Sequence, residues 1–458
     1  MSKQTQHSQN TIREILHRES QVLHFVGIGG VSMSSLAHLS LKRGHRVTGS
    51  DRILGKTAHA LAAEGATVHA GHDGSYVSGA SAVIYSHAIS ENNPEMLCAR
   101  SLGIPTVSRA DMLGAIMLDY RTRIGVSGTH GKSTVVSMLD RIFSDAALRP
   151  TVLSGSVLTS GNAYRDGENS YLIYEACEYR DSFLSFAPSV AIALNLEMDH
   201  PDYFESIEAI KSSFTKAIDR ASIFAVINGD DGNLADIVPK LKCRTVTYGE
   251  GEHTDYRYLI NSFDDKGYSF TLYRYGTAVS SFSLNMIGVY NVSNVTAAIV
   301  TALELGIDIE SIRSSVARLG NIPQRLELVG SRHGRAVYYD YAHHPTAIEA
   351  NINALHIATG DAVTVIFKPH TYSRTKALWD DFVAALSLAD HLVLTEIYPA
   401  REEPMAGVNS RRLAEDVGGR ATFLPDHAVA EYVDLHTLGT IVIMGAGDTE
   451  QIKNNILS

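Results

Sequence analysis

Apolar and polar positions along the chain recur in one order: a short apolar run, a glycine-rich or polar turn, then a stretch with apolar residues at helical spacing. The first instance runs from Val22 to Gly30, with a second apolar run from Arg46 to Asp51 and further strand candidates at 81–86 and 106–108. The charged break at 120–123 predicts a linker. A second instance opens at 124–134 and carries the apolar runs 171–177, 190–195 and 224–228. From about Thr245 to Leu284, Tyr, Ser and Thr alternate with apolar residues in the period of antiparallel strands. A helical run over 291–305 then leads to Gly320 and Pro323. The third instance begins near Arg325, with strand candidates at 336–341, 362–367, 391–396 and 440–444. Strands alternating with amphipathic helices predict parallel sheets covered by helices. The expectation is an α/β fold of three domains, over 1–120, 121–324 and 325–458.

Composition narrows the class. A chain of 458 residues has room for roughly three domains. With 45% hydrophobic and 19% charged residues it reads as globular, neither disordered nor fibrous. The net charge of −11, without a basic block, opposes nucleic acid or an anionic membrane as the main partner. The polar start, Met1 to Asn10, lacks the layout of a signal peptide. No apolar run reaches the roughly 18 to 20 residues that a bilayer requires. A cytoplasmic protein is expected. Cys98, Cys177 and Cys243 are widely spaced and odd in number, against a disulfide framework or a Cys-ligated zinc site.

Two turns carry candidate chemistry. Gly27, Gly29 and Gly30 follow a strand and precede a helix, with Asp51 closing the next strand, a partial match to a diphosphate-binding fingerprint in which Ser32 replaces the last glycine. Glycines let the backbone approach a diphosphate, and Asp51 could accept hydrogen bonds from a sugar hydroxyl. The pattern does not separate NAD from a UDP-sugar. The second turn, Gly128-Thr-His-Gly-Lys-Ser-Thr134, resembles a phosphate loop, although Val126 stands where a strict P-loop has its first glycine. Backbone N–H groups would wrap the phosphates, Lys132 would neutralise them, and a hydroxyl would bind magnesium. Glu175, Glu178, Asp199 and His200 follow apolar strands, where ligand groups gather in open α/β sheets. Their oxygens suit magnesium, and one imidazole could join a second divalent ion.

Taken in order, these segments resemble the Mur ligases of peptidoglycan synthesis. The resemblance runs from about His24 to Gly447 and is carried by 24–33, 85–89 with 93–95, 128–133, 175–184, 199–203, 288–294, 340–346, 369–375 and 445–448. It implies an N-terminal Rossmann-like domain for the UDP-sugar, a central P-loop ATPase-type α/β domain and a C-terminal Rossmann-like domain for the amino acid. It is similar above all to the alanine-adding members. The implied reaction is ATP-dependent ligation of L-alanine to the lactyl carboxylate of UDP-N-acetylmuramate through an acyl phosphate, by a monomer or homodimer. Position by position, the resemblance implies ATP contacts at Gly128, Thr129, His130, Gly131, Lys132, Ser133, Thr134, Asn291, Asn294, Arg325 and Asp340. It places Mg²⁺ on Ser133, Glu175 and His200, and the catalytic set on Lys132, Glu175, His200 and Arg325. The UDP-sugar would meet Gly27, Gly29, Gly30, Asp51 and Ser86, and the amino acid His343, His370 and Arg374.

The chain departs from the family pattern at Ser32 (usually glycine), His87 (commonly serine) and Thr371 (often arginine in the alanine-adding enzymes). Neither Lys211 nor Lys216 aligns with the lysine that other Mur ligases carbamylate. Within the family, the alternative is a recycling ligase that adds a whole tripeptide. An NAD-dependent dehydrogenase would leave the Lys132 loop unexplained, and a silent nucleotide-sugar sensor would not need intact Lys132, Glu175 and His200.

Overall fold

The computed structural model describes residues 3–264, 267–436 and 439–458. Its strands fall into three sheets. The first is all parallel, in the order Thr67–Ala70, Arg46–Asp51, Val22–Val26, Ala82–Tyr85, Thr106–Ser108. The order reverses at Val22–Val26. The glycine turn after that strand, Asp51 at the end of its neighbour and Ser86 after Ala82–Tyr85 therefore share one carboxyl edge, where open parallel sheets bind ligands.

The central sheet has ten strands, with Thr122–Ser127 between Val190–Ala193 and Glu168–Glu175. This three-strand register places three loops side by side: 128–131, 176–178 and 194–200. The Tyr-rich alternating stretch forms the antiparallel strands Tyr256–Asp264, Gly267–Arg274 and Thr277–Leu284 at one end of the sheet. The third sheet runs Glu327–Arg332, Arg335–Asp340, Thr440–Gly445, Val363–Lys368, His391–Leu394, Ala421–Phe423. Its first pair is antiparallel and the rest parallel. Central strands such as Val363–Lys368 are buried throughout, as expected for parallel strands covered on both faces.

The polar start carries a helix that the sequence reading did not address. A helix spans Lys3–Leu16 and buries Ile12, Ile15 and Leu16, spaced to share one face. These residues join an apolar cluster that continues through Phe25 and Met117 into Phe183 and Phe214 of the central domain. Gln9 adds a polar tie, its Nε2 donating to Ser185 O at 2.6 Å. The first two domains thus share a core, whereas the third has clusters of its own.

Candidate active site

The phosphate loop is built by backbone geometry. Gly128 and Gly131 adopt φ of +144° and +83°, and Gly131 caps the helix Lys132–Asp145. A Cβ on Gly131 would lie 2.7 Å from Asn294 Oδ1, so the loop packs directly on an asparagine of the helix Tyr290–Glu304. Asn294 in turn donates to Asn291 Oδ1 at 3.2 Å, and Asn291 donates to Ile287 O at 2.7 Å. The residues 195–197 brace the loop from the other side. His130 N donates to Asn195 Oδ1 at 2.7 Å, and Glu197 N donates to Thr129 Oγ1 at 2.9 Å.

Lys132 is folded onto this loop. Its Nζ donates to Gly128 O at 2.5 Å and to both Glu178 oxygens at 3.1 Å. Burial works against both charges, but their pairing, with Glu175 and Cys177 around Lys132 and His200 beside Glu178, outweighs it. The Lys132 ammonium is held above its usual range and the Glu178 carboxyl below its own. His200 Nε2 stands 3.7 Å from Glu178 Oε1. His200 also has a φ of +55°, a conformation that side-chain-bearing residues rarely adopt and that clusters at functional sites. Glu175 accepts from Gly155 N at 2.6 Å and from Ser154 Oγ at 3.1 Å. Ser133 and Thr134 are buried at the start of the helix behind the loop. Beside Lys132, Glu178 and His200 bring a carboxylate and an imidazole within 3.7 Å of each other, donors of types a divalent cation takes.

The C-terminal domain completes the site. Arg374 is 6% exposed and reaches into the central domain, donating to Asp199 Oδ1 from Nη2 at 2.9 Å and from Nε at 3.2 Å. Its Nη1 donates to His370 Nδ1 at 3.1 Å. Burial opposes ionisation of Asp199, yet the Arg374 guanidinium, the neighbouring histidines and the His200 backbone N–H together hold the carboxyl far below its usual range. Burial first, and then Arg374, push His370 down to about 4. The same two causes hold His343 well below its ordinary value. His343 and His370 rings meet edge to face at 5.7 Å, so His343, His370 and Arg374 form one group.

Arg325 and Asp340 stand at the joint between domains. The Arg325 guanidinium lies over the Tyr341 ring at 5.5 Å. Asp340 is buried and accepts from Leu326 N and Ala342 N, both at 2.6 Å, so its carboxylate fixes the turn that leads into the third domain. In the first domain, Asp51 Oδ2 accepts from Gly29 N at 2.9 Å, which shapes the glycine turn. Gly27 has φ of +79°, and Ser86 Oγ accepts from Ala88 N at 3.2 Å. These residues share the edge expected of them but lie in a different domain from Lys132.

Several partners were not legible in advance. Beneath the glycine turn, fully buried Glu95 accepts from His24 Nε2 at 2.5 Å, from Ser50 Oγ at 2.7 Å and from His72 Nδ1 at 2.6 Å. The pairing of Glu178 with Lys132, and of Asp199 with Arg374, joins residues 46 and 175 positions apart. No local spacing encodes such pairs.

Family models match along most of the chain: "Mur ligase family, catalytic domain" over 22–121, "Mur ligase middle domain" over 126–302, and "Mur ligase, glutamate ligase domain" over 324–447. A UDP-N-acetylmuramate--L-alanine ligase of Caldicellulosiruptor saccharolyticus is 40% identical over 448 residues, covering 94% of this chain and 97% of its own. The corresponding protein of Acetivibrio thermocellus is 38% identical, covering 95% of each. Among solved structures, the Thermotoga maritima UDP-N-acetylmuramate-alanine ligase MurC superposes with a TM-score of 0.81 at 24% identity, over 95% of this chain and 98% of its own. A murein peptide ligase from Psychrobacter arcticus gives 0.74 at 23% identity, over 96% and 98%.

Proposed function

The chain belongs to the Mur ligase family, and from that premise we propose that it joins L-alanine to the lactyl carboxylate of UDP-N-acetylmuramate at the expense of ATP, in peptidoglycan precursor synthesis in the cytoplasm. The observation that carries this reading is the meeting of Lys132 and its acidic partners with Arg374 of the third domain across the Asp199 bridge. Nucleotide chemistry and amino-acid capture thereby share one cleft. Whole-length relatives named for alanine ligation favour alanine over a tripeptide.

In this reading a lactyl carboxylate oxygen attacks the γ-phosphorus of ATP and ADP leaves, giving an acyl phosphate. The alanine amine then attacks the acyl carbon. Phosphate departs with that carboxylate oxygen, the amide forms and the nitrogen loses its proton. Lys132 holds the outer phosphates and neutralises charge as it moves to the leaving oxygen. For Lys132 to do this it must exchange Glu178 for phosphate oxygens, so the pair holds the cation poised in the absence of nucleotide. Asn291 and Asn294, with Gly131, Ser133 and Thr134, shape the nucleotide pocket, and Arg325 and Asp340 close it from the domain joint. Ser133, Glu175 and His200 would hold Mg²⁺, which when bound supplies further charge neutralisation on the phosphates. Arg374, with His370 and His343, orients the alanine carboxylate, and positioning of this kind supplies much of the rate in a two-substrate reaction. Gly27, Gly29, Gly30, Asp51 and Ser86 hold the UDP-sugar.

The test is isotopic. With ¹⁸O in the lactyl carboxylate, one label should appear in the phosphate released during ligation. Unlabelled phosphate would contradict the acyl-phosphate route.

A further inference from the structure

A second cluster stands at the joint of the central and third domains, apart from Glu175 and His200. His130 comes from the phosphate loop, Glu197 from the loop after Val190–Ala193, and His344 from the residue that caps the helix Pro345–Thr359. His130 Nε2 lies 3.2 Å from Glu197 Oε2, and His344 Nδ1 lies 3.7 Å from the same oxygen. The two imidazoles are 4.9 Å apart between centroids. One ligand atom from each of the three residues fits within a span of 4.8 Å. His344 is 6% exposed, yet neither of its ring nitrogens has a hydrogen-bond partner. A buried polar group left without a partner is costly, so such a group calls for a ligand.

We propose that His130, Glu197 and His344 form a site for one borderline divalent transition-metal ion of the zinc class, which clips the third domain to the phosphate loop. Two imidazoles and a carboxylate are a set that zinc accepts with water in the fourth position, whereas magnesium favours sets dominated by oxygens. Tetrahedral coordination with bonds of about 2.0–2.2 Å requires ligand separations of roughly 3.3–3.6 Å. Two of the three edges already stand near that range, and a shift of about 1 Å in one ring closes the third. The protonation states suit a metal. Burial, and then the neighbouring His130, hold His344 toward its neutral form. Burial opposes the Glu197 charge, but His130, Thr346 and His344 together outweigh it. Thr346 Oγ1, from the third domain, donates to Glu197 Oε2 at 2.8 Å and orients the carboxylate.

The experiment titrates Zn²⁺ into the full-length protein by calorimetry under excess Mg²⁺, with Co²⁺ absorbance as a second readout. The expected result is one ion per chain, with visible Co²⁺ bands of a tetrahedral site. His344→Gln and Glu197→Gln, each checked for folding by thermal melting, should weaken binding at least about tenfold. Glu175→Gln should leave zinc binding unchanged. Zinc binding as tight in both His344→Gln and Glu197→Gln as in the parent, or lost in Glu175→Gln, would overturn the proposal. In the last case the ion would be occupying the magnesium set.

Discussion

Lys132 is where a single side chain decides most. It is the only lysine or arginine between Gly128 and Thr134, and its present partners are a carboxylate and its own loop. Lys132→Ala should lower the ligation rate by about a hundredfold or more, the usual consequence of deleting a preorganised charge at a reacting oxyanion. UDP-N-acetylmuramate binding, measured by calorimetry, should remain, because the residues we assign to it lie in another domain. His370 gives a pH prediction. Its folded value of about 4 lies below the ordinary 6.5, so the unfolded chain takes up the proton first as pH falls. Stability is therefore full above pH 6.5 and declines as pH falls to about 4. The loss approaches about 3 kcal/mol at 1.36 kcal/mol per pH unit. Denaturant melts across this window should show a smaller decline for His370→Asn.

At the level of elements, loops after parallel strands build the site, and glycine conformation builds the loops. Gly131→Ala should cost about 1–2 kcal/mol for the left-handed backbone alone, and its methyl group would displace Asn294. The expected outcome is a lower Tm with a weaker ATP dependence, read from the KM for ATP. Such loops were legible in the sequence because apolar runs ending in Gly or acidic residues announce them. The strand at 190–195 and the alternation from Thr245 to Leu284 appear where the pattern placed them, the former as Val190–Ala193. The helix Lys3–Leu16 was hidden because its polar first half outweighed the spacing of Ile12, Ile15 and Leu16. Their burial depends on Met117, Phe183 and other residues far along the chain, which composition does not reveal. The same reason hid Glu95 under the glycine turn. A fully buried carboxylate reads as a surface residue until His24, Ser50 and His72 surround it.

Across the whole molecule, Arg374 is a contact that joins the third domain to the central one, and in our reading the reaction depends on it. Cutting it removes a buried guanidinium from Asp199 and, in our reading, the clamp on the alanine carboxylate. Arg374→Ala should raise the KM for alanine far more than the KM for ATP, and steady-state kinetics with each substrate varied in turn will show the split. An unchanged alanine dependence would leave Arg374 with the Asp199 bridge alone. Selectivity follows from size. A pocket that recognises a methyl group discriminates by only about 1–3 kcal/mol per methylene, so serine and glycine should be weak substrates. The most direct measurement of the account is phosphate release from ATP with UDP-N-acetylmuramate, supplied in turn with alanine, serine, glycine and the tripeptide of recycling. Release should be fastest with L-alanine, slower with serine and glycine, and at background with the tripeptide. Preference for the tripeptide, or release that ignores the amino acid supplied, would contradict it.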